Sequence, residues 1–201
     1  MRHAVEPRTS GFARHDRQPV SDIGAPSMRT AAPEQITAML VVFETVPWPA
    51  GKDVAGALAD ALGWTVRADL PNGVHYVTAL ETNDRRADVL IEPDGAGGGT
   101  IVALTVQVSD RVADAPADLD QAYRSVVATV EDRLGTPVRA DSWTNPRTVW
   151  DLATGGRIAV QRLNAGVSLV LLSQRGADLE REEDRLGIDP NRVPGTGHEG
   201  L

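Results

Sequence analysis

Residues 148–173 read TVWDLATGGRIAVQRLNAGVSLVLLS, and their punctuation decides the fold. Three apolar runs, 148–153, 157–163 and 167–173, are separated by Thr154-Gly155-Gly156 and Asn164-Ala165-Gly166. Three residues cannot hold a crossover helix, which takes a dozen or more, so neighbouring strands must run antiparallel. The same logic works upstream. Segments 64–69 and 74–80 flank Leu70-Pro71-Asn72-Gly73, a strong hairpin signal. A short strand is expected at 88–92. A longer one is expected at 100–108, where Val102, Leu104, Val106 and Val108 alternate toward one face. The glycine run between them reads as a turn.

Helical spacing brackets these strands. Ile36, Met39, Leu40, Phe43 and Val46 recur with period 3.6 after Pro33, and Pro47 and Pro49 stop them. A second helix is expected over 52–62, with Asp53 as its cap, Val54, Leu58, Ala61 and Leu62 inward, and Gly63 closing it. The strongest helix, 116–134, carries an apolar stripe of Leu119, Ala122, Tyr123, Val126, Val127, Val130 and Leu134. A charged helix is expected over 177–186. The order ααββββ–α–βββ(α) predicts an α+β domain in two layers, a mainly antiparallel sheet with helices packed on one face. The domain is expected over 33–187. Residues 1–32 read as a disordered basic tail, or in part as sequence upstream of a true start at Met28, and 188–201 as a disordered tail.

Composition narrows function by exclusion. The 201 residues include no cysteine, which removes disulfides, thiolate metal sites and thiol catalysis. A net charge of −8 argues against a nucleic-acid binder. No segment approaches the ~20 apolar residues of a membrane span, and the first 32 residues lack a secretory core. The expectation is a cytoplasmic protein that binds neither nucleic acid nor membrane.

The residues that tempt a chemical reading are weak. Glycines 95–99 lack the lysine and hydroxyl residue of a phosphate loop and precede a strand. Gly51-Lys52 fails similarly, because Asp53 stands where the hydroxyl residue belongs. His75 sits beside Tyr76 on a hairpin strand, with no Gly-x-Ser-x-Gly elbow anywhere. Asp84, Asp88, Glu92 and Asp94 read as a solvated strand face, not a metal site. No catalytic, cofactor-binding or metal-ligating residue is assigned. Two features point to a protein partner. Trp143 lies in a polar loop, where an exposed tryptophan is a contact anchor. Glu180, Glu182, Glu183 and Asp184 form a charge run suited to guiding a basic partner.

The ordered motifs resemble a known family. Pro47-Trp48-Pro49 ends a first helix, Leu62-Gly63-Trp64 a second and Leu134-Gly135-Thr136-Pro137 a third. Val149-Trp150-Asp151-Leu152, Gly155-Gly156-Arg157-Ile158 and the strand 167–172 follow. Over roughly 33–175 this succession resembles an actinobacterial family, domain of unknown function 6301. The resemblance brings no established activity, so no site residue carries over. It implies a setting near type VII secretion or polymorphic-toxin genes, and hence an immunity-like or chaperone-like role. The leading expectation is a non-enzymatic, cytosolic protein-binding domain whose net negative surface meets a basic partner. Two alternatives stay open: an enzyme with a site built on His75 with nearby carboxylates or Arg85 and Arg86, or a small-molecule sensor with a cleft between sheet and helices. A homodimer through a short edge strand at 88–92 is also compatible with the sequence.

Overall fold

The computed structural model describes residues 28–95, 98–113, 116–141 and 145–188. Among them the chain runs α1 (Pro33–Phe43), α2 (Lys52–Ala61), β1 (Thr65–Leu70), β2 (Gly73–Val77), β3 (Arg86–Pro93), β4 (Gly99–Gln107), α3 (Pro116–Leu134), β5 (Arg139–Asp141), β6 (Arg147–Asp151), β7 (Arg157–Arg162), β8 (Val167–Leu172) and α4 (Gln174–Arg185). All eight strands form one antiparallel sheet in the order β1-β2-β3-β4-β8-β7-β6-β5. The fold is α+β. Two four-stranded meanders meet at their last strands, so β4 pairs with β8, with Leu104 opposite Leu171 and Val106 opposite Leu169. The first strand of each meander forms an outer edge. The strand expected at 88–92 is therefore internal, held between β2 and β4, and cannot pair across a dimer. Sequence spacing missed β5, whose three residues are too short to show a period.

One face of the sheet, called inner here, carries Val74, Tyr76, Val89, Leu104, Val106, Trp150, Ile158, Val160, Leu169 and Leu171, all buried. Helices α1, α2 and α3 close over it. The helix α1 supplies Ile36, Met39, Leu40 and Phe43. Its start is tied by Gln35, whose Oε1 accepts the Ala32 N–H at 3.0 Å. In α2 the inward residues are Ala55, Leu58 and Ala59, while Val54 and Leu62 are only partly buried and Ala61 is exposed. Its N-cap is Gly51, not Asp53. The backbone of that cap is fixed by pairing with Thr100, and this sets which side of α2 faces the sheet. Gly63 takes φ 66°, the left-handed C-terminal position expected of it. The helix α3 buries Leu119, Ala122, Val126 and Val130. The Trp150 indole donates to the Gly135 carbonyl at 2.8 Å, locking the end of α3 to β6.

The alternation expected of Val102, Leu104, Val106 and Val108 breaks at its first member. Leu90 pairs with Ala103 but Ile91 pairs with Ile101, so Val102 is an extra residue on β4. This β-bulge turns Ile101 inward, 1% exposed, and moves Val102 to the other face.

The ordered body begins before residue 33. The Ala31 N–H donates to Val108 C=O at 2.7 Å, Thr30 bridges to Ser109, and Ala31 is buried. Asp110 organises this corner: its Oδ2 accepts from the Arg29 N–H and Nε, both at 3.1 Å, and its Oδ1 from the Asn83 N–H at 2.7 Å. At the other end, Ile188 still donates to Glu183 C=O at 3.0 Å and so belongs to the end of α4.

Two consequences are measurable. Trp150 is 2% exposed and fills the inner layer, so Trp150→Ala should lower unfolding free energy by about 3–5 kcal/mol. Trp150→Phe should cost about 1–3 kcal/mol through the orphaned Gly135 carbonyl and the lost ring volume. Urea unfolding reads both. Burial pushes the Asp110 carboxyl up, but the Asn83 and Arg29 donors outweigh it and hold it below its ordinary 3.8. A depressed folded value stabilises above the unfolded one and loses that contribution as pH falls through the folded one. The stability gap between the native chain and Asp110→Asn should therefore be full at pH 6 and shrink below about pH 4.

Candidate binding face

Strand alternation sends a second set of side chains to the outer face: His75, Arg86, Asp88, Leu90, Ala103, Thr105, Arg139, Arg147, Asp151, Arg157, Ala159 and Val170. The helix α4 lies across one half of this face, so not every helix packs on one side of the sheet. Its start is three residues earlier than spacing suggested, because Ser173 is its N-cap and accepts the Gly176 N–H at 3.2 Å.

The contact between α4 and the sheet is ionic. Glu180 meets Arg147 at 2.7 Å and Arg157 at 3.1 Å. Asp184, one turn on, meets Arg157 at 3.4 Å and pairs with Arg139. Arg157 also holds Asp151 at 2.9 Å, directly across the β6–β7 register. Arg181 returns the other way, to Asp151 at 2.9 Å and the Gly155 carbonyl at 3.1 Å. The Arg157 side chain is 3% exposed. Burial pushes the Asp151 carboxyl up, but hydrogen bonds from Arg157 and Arg181 prevail and hold it below the ordinary carboxylate value. Burial lowers the Arg157 guanidinium, and its bonds to Asp151 and Glu180 more than restore it, so it stays charged. Apolar packing contributes little: Ala177 is the one buried residue of α4. Its burial is worth about 1 kcal/mol, against about 1.5–3 kcal/mol for each large core side chain of α1.

Among the described residues, the other half of the outer face carries no helix. Between it and the start of α4 opens a groove of about 860 Å³, lined by Trp48, Leu90, Val102, Gly176 and Leu179, with Glu92, Arg175 and Asp178 at its sides. Leu90 is 51% and Leu179 63% exposed. The bulge that displaces Val102 contributes directly, because the Val102 carbonyl accepts the Ser173 N–H at 3.0 Å and so sets where α4 begins.

The residues singled out from sequence divide as follows. Glu180 and Asp184 face the sheet and are engaged by its arginines, with Asp184 still exposed at the rim. Glu182 is on the exposed side, paired with Arg185 at 3.0 Å, and Glu183 is half-buried. Trp143 lies outside the described residues. His75 Nδ1 is 2.6 Å from Asp88 Oδ1, and Arg86 Nε is 3.2 Å from Asp88 Oδ2. The Arg85 Nε donates to the Thr78 carbonyl at 2.9 Å. His75 is 42% exposed on the sheet surface and does not line the groove. Asp88 lies between histidine and arginine, and among the described residues no hydroxyl bonds to His75, so a nucleophile–base pair is not assembled there. Asp84 faces Arg86 at 3.8 Å, Glu92 pairs with Arg175, and Asp94 accepts the Gly98 N–H at 3.0 Å. The four carboxylates do not converge, and among the described residues no group of three or more histidines or carboxylates could hold a metal. Among them, too, no helix is long and apolar enough to cross a membrane.

The arginine cradle was not singled out from sequence. Part of its signal was present: Asp151 and Arg157 flank one tight turn, and Glu180 and Asp184 are spaced i, i+4, although the three-residue turn expected at 154–156 would have set Asp151 opposite Ala159.

A family model described as "Family of unknown function (DUF6301)" matches residues 34–173, 140 of the 201 positions. The chain belongs to this family. No curated protein and no solved structure matches it. The DUF6301 span holds α1 through β8, including the arginine cradle and the open half of the outer face. It stops at Ser173, the N-cap of α4.

Arg157 is the hub of the α4 contact, and its removal leaves Glu180, Asp151 and Asp184 facing one another. Arg157→Ala should lower stability by roughly 2–4 kcal/mol, at the lower side of buried-pair losses because its partners are partly wet. In a differential scan the apparent Tm should fall, and amide exchange in α4 should rise more than in α3. Equal protection of both helices in the variant would contradict the hub role.

Proposed function

We propose that this DUF6301 chain is a non-enzymatic, cytoplasmic protein-binding domain that takes an apolar segment of a basic partner into the outer-face groove. The observation that carries this reading is the groove itself. An apolar cleft of about 860 Å³ with Leu90 and Leu179 exposed at its sides lies on a chain of net charge −8. Exposed apolar surface of that kind, edged by polar groups, is the ordinary mark of a contact site. The net negative charge favours encounter with a basic partner at long range. An immunity-like or secretion-accessory role is the setting in which such a domain would serve, by covering a surface of another protein.

Co-purification with the products of adjacent genes tests this, run in parallel with the native chain and with Leu90→Arg/Leu179→Arg. Both positions are exposed, so the double variant should keep its thermal midpoint. Its recovery of the partner should fall at least tenfold. Equal recovery by both chains would remove the groove from the reading, and no partner at all would remove the reading itself.

The volume also supports a second reading, a small-molecule sensor, since ligand pockets run at about 300–1,000 Å³ with mostly apolar walls. Fluorescence of an environment-sensitive apolar dye, quenched by competition with a metabolite mixture and lost in the same double variant, would favour it.

A further inference from the structure

The outer face offers a second surface, which shares α4 with the groove. We propose that the arginine cradle of β5, β6 and β7 is a docking site for an acidic amphipathic helix of a partner protein, and that α4 occupies it as the chain's own stand-in.

Four observations carry this. Arg139, Arg147 and Arg157 converge from three adjacent strands on two carboxylates one helical turn apart, Glu180 and Asp184. Guanidinium groups fixed on a sheet recognise a spaced carboxylate pair by direction as well as charge. The fit of α4 is incomplete. A cavity of about 280 Å³ remains beside Asp141, Arg147, Val170 and Glu180, and the buried Arg139 Nη2 has no hydrogen-bond partner among the described residues. The helix buries only Ala177, while Leu179 and the C-cap Leu186 are exposed at 63% and 65%. Finally, the family match ends at Ser173, so the cradle lies within the DUF6301 span and the helix that fills it lies beyond.

These features also specify the partner. Positions 177, 180 and 184 share one helix face, at i, i+3 and i+7. A helix with a small apolar residue at the first and carboxylates at the other two would reproduce the packing and both ionic contacts of α4. It would compete with α4 by occupying the same arginines.

The test uses the full chain and one probe, a labelled peptide of residues 174–188. Its binding is followed by fluorescence anisotropy to the native chain and to Glu180→Ala/Asp184→Ala, which weakens the hold of α4 and leaves the cradle intact. The peptide should bind the double variant at least tenfold more tightly than the native chain. A peptide with Glu180→Gln and Asp184→Asn should lose at least tenfold on the same variant. Equal affinity for both chains, or indifference to the peptide's carboxylates, would overturn the proposal. If the double variant does not fold, hydrogen exchange on the native chain decides. Amides of α4 exchanging at least tenfold faster than those of α3 support a displaceable helix, and exchange of α4 only by global unfolding overturns it. A native chain that self-associates, and is returned to monomer by the peptide, would assign the cradle to a second copy and overturn the partner reading.

Discussion

The pairing of β4 with β8 is the contact on which the remainder of the molecule depends. Each meander alone has a bare inner edge and half of an apolar face. Joining Gln107 to Ser168 and Ala103 to Leu172 removes both edges at once. It also brings Leu104, Val106, Leu169 and Leu171 side by side under the helices. The long helix α3 links the two meanders and packs over the second, with Tyr123 hydrogen-bonded to Thr148 of β6 at 2.6 Å. One seam thus makes one sheet, and one sheet makes two faces of opposite character.

That opposition places the candidate sites. The inner face is closed by three helices through aliphatic and aromatic packing. The outer face is half covered by α4 through charge and, among the described residues, half uncovered by any helix. Both surfaces of interest, the groove and the arginine cradle, lie on the outer face, and both are bounded by α4. Its position follows from the seam too, because Ser173 continues β8 and is held by the carbonyl of the bulged Val102 on β4.

How much of this was legible in the sequence depended on whether the signal was local. The tight turns at 154–156 and 164–166 specified antiparallel neighbours, and Pro33, Gly63, Gly135 and Gly187 marked helix limits. Family membership was legible in the ordered helix ends and the strand around Trp150. The bulge was not, since Val102 keeps perfect alternation with Leu104 and only the cross-strand register reveals the extra residue. The facing of α2 was lost for a similar reason: its cap is set by Gly51 pairing with distant Thr100. Strand β5 was too short to carry a period. Among the site residues, the run 180–184 was recognised as charged, but its direction was not. The arginines that turn Glu180 and Asp184 inward sit 23 to 45 positions away along the chain.

The two faces obey different solvents. Added neutral salt shortens the Debye length, about 8 Å at physiological strength, and weakens the partly wet ion pairs at the rim of α4 more than those of buried Arg157. A strongly hydrated salt such as sulfate tightens the burial that holds α1, α2 and α3. A single addition to the buffer therefore pulls the molecule in two directions, hardening one side of the sheet while loosening the other. The domain's composure is a balance struck at one ionic strength, and its outer side is the one that the surrounding medium can tune.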